Sequence, residues 1–171
     1  MAEWYVVQAT TGAEQDVRMR LNRMAYPAML PMKVMRERRG GKPFDVTHVM
    51  LPGYVFVETE MRAADWHCIR HLPGVLRILG GERPAPLTDD EARRIAWLDN
   101  GGTPWDISTA KATPKGVVIT SGPLALFDKE IETIDRRQGR ARIHASVLGE
   151  EKRIDLALVF EEEKQPVDPE G

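Results

Sequence analysis

Helical periodicity stops at Leu98, and nothing after it repeats apolar residues at a helical spacing. That change of pattern excludes a uniform architecture and divides the chain into a mixed α/β part followed by an all-β part. In the first part, Trp4–Ala9 is a β-rich apolar run closed by the turn signal Thr10-Thr11-Gly12. Thr11 and Glu14 have the spacing of a capping box, and Val17, Leu21 and Met24 then recur at helical spacing until Pro27 and Pro31 end the helix. Met29–Arg38 reads as extended, Gly40-Gly41 as a turn and Pro43–Met50 as the returning strand of a hairpin. A strand over Tyr54–Glu58, a helix over Met61–His71 and a strand over Val75–Leu79 follow. Thr88 and Glu91 form a second capping pair that opens a helix through Leu98. The order β-α-β-β-β-α-β-α predicts an α+β fold, an antiparallel-rich sheet with helices packed on it.

Residues 99–113 are rich in Gly, Thr, Pro and Ser and read as a linker, with Trp105 and Ile107 able to pin part of it to a surface. Beyond it, Gly116–Thr120, Lys129–Asp135, Ala141–Leu148 and Arg153–Val159 are short strands separated by turn residues, the pattern of a small β-barrel. The expected organisation is therefore a domain over 1–98, a linker over 99–113, a second domain over 114–162 and a disordered acidic tail over 163–171.

Composition removes several classes of function. Hydrophobic residues make up 42% of the 171, enough for a core without staples, and the single cysteine, Cys68, excludes an intramolecular disulfide. No apolar run reaches the roughly 18 residues of a membrane span, and Met1–Gln8 lacks the features of a signal peptide, so a cytoplasmic protein is expected. There is no Gly-rich phosphate loop, GxSxG or HExxH, and Asp89, Asp90 and Glu91 are explained by the first turn of a helix. Neither catalysis nor a cofactor is expected. His67 and His71 lie four apart on a predicted helix with Cys68 between them, but a structural zinc takes four protein ligands and the other histidines are the distant His48 and His144. No metal is expected.

Charge is unevenly placed. The net charge is −2, yet Arg18–Lys42 holds eight basic residues against Glu37 alone and carries +7. Two readings are open: a solvated helix face and hairpin, or contact with a polyanion at one place. In the strand Tyr54–Val57, Tyr54 and Phe56 share one face while Val55 and Val57 share the other. A strand apolar on both faces needs cover on both, so its aromatics either complete the core or grip a partner helix.

Trp4-Tyr5-Val6-Val7-Gln8-Ala9, Leu51-Pro52-Gly53-Tyr54-Val55, Trp66-His67-Cys68-Ile69-Arg70, Pro73-Gly74-Val75 and Gly80-Gly81 through Pro84-Ala85-Pro86 resemble, in order and spacing, motifs of the NusG family of transcription elongation factors. Ile119-Thr120-Ser121-Gly122-Pro123-Leu124 with Ile134-Asp135 resembles the family's KOW module. The resemblance spans about Glu3–Phe160. It implies a ferredoxin-like amino-terminal (NGN) domain and a small SH3-like KOW β-barrel, and it implies a monomer that binds the clamp helices of the largest RNA polymerase subunit.

Carried residue by residue, the resemblance assigns polymerase binding to Trp4, Leu51, Tyr54 and Phe56, and contact with the second jaw of the polymerase cleft to Asp65, Trp66 and His67. Thr10, Arg20, Arg23 and Arg70 fall where specialised members touch non-template DNA. Arg36, Arg38 and Arg39 at the hairpin tip are further candidates. Arg136, Arg137, Arg140 and Arg142, with Trp105-Asp106-Ile107-Ser108-Thr109, resemble LoaP-like antiterminators that act with leader RNA; a solvated turn accounts for these arginines equally well. Leu148 and Glu150 stand where NusG offers a Phe and an Arg to a ribosomal protein and to Rho, which argues against both contacts. Phe127-Asp128-Lys129 departs from the family's Phe-x-Gly turn. The expectation is a specialised factor promoting processive elongation or antitermination. The alternatives are a housekeeping NusG and a ribosome-associated KOW-type RNA-binding protein.

Overall fold

The computed structural model describes residues 1–161, which form two compact units. One comprises Met1–Met32 and Val49–Pro104; the other comprises Lys33–His48 and the chain from Trp105 onward. The chain runs β1 (Glu3–Ala9), α1 (Glu14–Arg23), β2 (Ala28–Met29), β3 (Met32–Arg39), β4 (Lys42–Val49), β5 (Tyr54–Thr59), α2 (Ala63–Arg70), β6 (Val75–Ile78) and α3 (Asp89–Asp99). It continues with β7 (Ser108–Thr113), β8 (Gly116–Ser121), β9 (Ile131–Asp135), β10 (Arg140–Val147) and β11 (Glu150–Phe160). Among the described residues no helix is long and apolar enough to cross a membrane.

The first unit is built on an antiparallel sheet of order β2-β5-β1-β6. Leaving aside the β3–β4 hairpin, its β-α-β-β-α-β order is ferredoxin-like. Strand alternation puts Tyr5, Val7 and Ala9 on the same face as Val55 and Val57, because Tyr5 pairs with Val57 and Val7 with Val55. Val17 and Leu21 of α1 and Ile69 of α2 pack on that face with no exposure. Each such side chain contributes about 1.5–3 kcal/mol by leaving water. Ile95 and Leu98 of α3 are buried outside this cluster.

Helix starts follow the expected chemistry only in part. Thr88 caps α3, its hydroxyl accepting the Glu91 N–H at 3.2 Å. Thr11 does not cap α1, whose N-cap is Ala13 without a side-chain bond. Glu14 instead turns inward, 3% exposed, and its carboxylate accepts the N–H groups of Gly12 at 2.5 Å and Gly53 at 3.2 Å. A buried carboxylate satisfied by two amides thus ties the β1–α1 turn to the turn before β5. At its far end α3 is held to the sheet, since the Asp99 carboxylate accepts the Leu30 N–H at 3.0 Å.

The second unit holds a five-stranded curled sheet of order β8-β7-β11-β10-β9, parallel only between β7 and β11, in keeping with the expected KOW barrel. Ser108–Thr113, expected as linker, is strand β7. Its buried residues are the small Ser108 and Ala110, so it lacks the apolar alternation that marks the other strands. The β3–β4 hairpin, expected within the first domain, contributes Lys33–His48 to this unit. The Val34 N–H donates to the Trp105 carbonyl at 2.8 Å, and the Lys33 ammonium donates to the Asp155 carbonyl at 2.6 Å. Trp105 is buried and meets the Phe127 ring edge-on at 5.9 Å. Asp128–Glu130 forms one 3₁₀ turn, so Lys129 takes the family's glycine position without a left-handed backbone. Residue 162 and the expected tail lie outside the described residues.

Candidate functional site

The face of the first sheet opposite α1 and α2 carries Trp4, Val6 and Gln8 from β1 beside Glu58, Phe56 and Tyr54 from β5, in that pairing order. Its centre is closed: Phe56 has no exposure and Val6 has 1%. Leu51, in the turn before β5, is 4% exposed. Trp4 and Tyr54 remain half-buried. They sit four residue steps apart along the paired strands, about 13 Å. The four residues expected to form one pocket therefore separate into two core residues, Leu51 and Phe56, and two accessible aromatics at opposite ends of the face. The Tyr54 end holds a feature the sequence did not signal, because the Arg77 guanidinium of β6 donates to the Gln8 side-chain oxygen at 2.5 Å.

Asp65, Trp66 and His67 occupy α2 in three different ways. Asp65 accepts the Tyr26 hydroxyl at 2.7 Å and the Arg62 N–H at 2.9 Å. The Tyr26 bond is the main reason that the Asp65 carboxyl sits below the usual carboxylate range, and the same bond pushes the Tyr26 phenol up to about 12. Trp66 is half-buried, and its indole N–H donates to the Gly81 carbonyl at 2.9 Å. His67 alone of the three is exposed. Only His67 is thus fully presented to a partner, while the other two side chains fasten α2 to the loops around it.

Of the proposed nucleic-acid residues in this unit, Thr10 and Arg23 are exposed and Arg20 and Arg70 are half-buried. Arg20 pairs with Asp16 at 2.8 Å, one helical turn away. Arg18 and Arg23 line a groove of 820 Å³ with Met19, Asn22, Asp99 and Gly102. The +7 segment read from sequence is divided by the fold: Arg18, Arg20 and Arg23 lie on α1, whereas Lys33, Arg36, Arg38, Arg39 and Lys42 belong to the second unit. At the hairpin, Arg36 pairs with Asp45 at 3.1 Å and Arg39 with Glu37 at 3.6 Å.

The arginines of the β9–β10 hairpin are largely engaged. The Arg142 guanidinium donates to Asp155 at 2.9 Å, Arg140 lies 4.0 Å from the same carboxylate, and Arg136 sits 4.4 Å over the Phe160 ring. The Arg142 hydrogen bond holds the Asp155 carboxyl below its ordinary range, and burial lowers the Lys33 ammonium beside it. Arg137 is exposed. At the opposite turn, Leu148 and Gly149 both adopt left-handed backbone, closing a two-residue hairpin, and Glu150 pairs with Lys152 at 3.2 Å.

The family described as "Transcription termination factor nusG" matches residues 2–96. The "Transcription termination/antitermination protein NusG" of Escherichia coli K12 is 32% identical over 165 residues, covering 90% of this chain and 91% of that protein. Its namesake in Buchnera aphidicola is 30% identical over 168 residues with the same coverage. A solved structure of Thermotoga maritima NusG superposes with a TM-score of 0.53 at 19% identity, covering 92% of this chain and 94% of that one. At that identity the likeness concerns the fold alone.

Proposed function

The chain belongs to the NusG family, and from that premise we propose that it is a transcription termination/antitermination factor that docks on the clamp helices of RNA polymerase through the Tyr54 end of its first sheet. The observation that carries this reading is an accessible aromatic at the edge of a face whose centre is already packed. A half-buried Tyr beside a Gln8–Arg77 hydrogen bond offers a rigid apolar body with a polar rim, the chemistry that anchors an amphipathic helix. Trp4, distant along the same face, is a separate and weaker contact. Phe56 and Leu51 act from underneath by holding the face in shape. His67 is the residue through which α2 meets the second jaw.

Nucleic-acid contact is assigned to the α1 groove, where Arg23 is exposed beside Arg18. The β9–β10 arginines are the weaker candidates, because Asp155 and Phe160 already occupy three of them. At the Leu148–Gly149 turn no aromatic is offered, and Glu150 presents a paired acid, which favours elongation or antitermination over a Rho- or ribosome-linked role.

Binding of the full chain to purified core RNA polymerase tests the docking surface. Tyr54→Ala is expected to weaken it about thirtyfold, the equivalent of about 2 kcal/mol for a buried aromatic anchor. Unchanged affinity of a folded Tyr54→Ala protein would remove the assignment. For the groove, Arg23→Ala should flatten the salt dependence of binding to a single strand by about 0.7 log units per log unit of salt. An unaltered slope would leave α1 a solvated face.

A further inference from the structure

We propose that His67 and His71 form a surface site for a divalent transition metal of the zinc class. The two residues are one helical turn apart at the end of α2, and both are exposed. Their rings are stacked, with planes 21° from parallel and centroids 6.1 Å apart. Two imidazoles on one metal must aim their lone pairs at a common point about 2.0–2.1 Å from each nitrogen, which stacked rings do not do, so closing on an ion needs both exposed rings to turn about their side-chain torsions.

The tautomer is already set for it. The His71 Nδ1 lies 2.7 Å from the His67 carbonyl oxygen. A carbonyl only accepts, so Nδ1 carries a proton, and in the neutral ring the lone pair stands on Nε2. Metal-binding histidines commonly donate their second ring nitrogen to a carbonyl in this way, which fixes the ring and raises its basicity. The His67 ring is backed edge-on by Trp66 at 5.1 Å, and Trp66 is itself fastened to Gly81. The other two histidines lack this arrangement: the Nε2 of His48 is 2.6 Å from Glu37 and that of His144 is 3.0 Å from Glu151.

No group of three or more ligand-type side chains that could hold a metal ion occurs among the described residues. The site is therefore an open one, with two protein ligands and water in the remaining positions. That differs in kind from the closed four-ligand zinc sites that hold small folds together.

Calorimetric titration of the full chain with zinc chloride in a non-coordinating buffer tests the site, with folding of each variant checked by thermal melting. One equivalent should bind to the wild type. His67→Ala and His71→Ala should each weaken binding at least tenfold, the double variant should lose it, and Cys68→Ser should retain it. The proposal is overturned by a wild-type chain that takes up no zinc, by a double variant that binds as well as wild type, or by loss of binding in Cys68→Ser.

Discussion

Asp65 illustrates how a side chain expected to meet a partner can be committed to its own fold. The hydrogen bonds it accepts, those from Tyr26 and Arg62 among them, favour the charged carboxylate and the neutral phenol together. The pH dependence follows from the two directions of shift. A carboxyl held low contributes stability above its unfolded pKa of about 3.9 and loses it as pH falls through the lower folded value. A phenol held high contributes stability below about 10 and loses it as pH rises toward 12. The pair therefore supports the fold throughout the neutral range and fails at both extremes. Phenolate absorbance should show one of the three tyrosines titrating near 12, a step absent in Tyr26→Phe and moved toward 10 in Asp65→Asn. A titration in which Asp65→Asn leaves that step in place would show that the hydrogen bond is not its cause.

At the scale of elements, β7 and the turn after β8 specify one another. Gly122 has φ +94°, and a Cβ on it would come within 2.5 Å of the Ser108 Cα. Ser108 is fully buried, and its hydroxyl accepts the Leu124 N–H at 2.9 Å. The close approach of two backbones is what keeps β7 free of large side chains at that point, and it is why Ser-Thr-Ala-Lys-Ala-Thr looks like a linker when read alone. Gly122→Ala combines a left-handed backbone with a clash that backbone atoms cannot relieve, and should cost at least about 2 kcal/mol. Denaturant unfolding of the full chain is the measurement, and wild-type stability in that variant would mean that β7 can move away. The same logic separates α3, whose capping pair was legible because it acts locally, from α1. Glu14 serves Gly53, 39 residues away, and no local rule sees that partner.

For the molecule as a whole, the sharpest consequence concerns the β3–β4 hairpin. Its ends are anchored in the first unit: the Met50 N–H donates to the Pro31 carbonyl at 2.8 Å, and Met32 and Val49 join the first unit's core. Its body, Lys33–His48, belongs to the second unit. The first unit should then fold without it. A protein ending at Pro104, with Lys33–His48 replaced by a short Asn-Gly turn, is expected to unfold cooperatively and to keep near-ultraviolet circular dichroism. A non-cooperative melt would show that the hairpin is part of the first unit's core.

By itself the sequence determined the α+β class, the alternation of strands and helices through the first part, the change to an all-β second part and nearly every strand whose apolar residues alternate. All of these rest on periodicity, which neighbouring residues encode. It also placed Trp4, Tyr54, His67 and the basic helix on the right elements. Only the tertiary structure decided which of those side chains remain accessible. Phe56 and Tyr54 have the same parity on one strand, yet the first is closed off and the second is not. Arg142 and Arg137 share a hairpin, yet the first is paired to Asp155 on a neighbouring strand. Exposure and charge pairing depend on what distant segments bring alongside, and burial, unlike periodicity, is not a property of any stretch of chain taken alone.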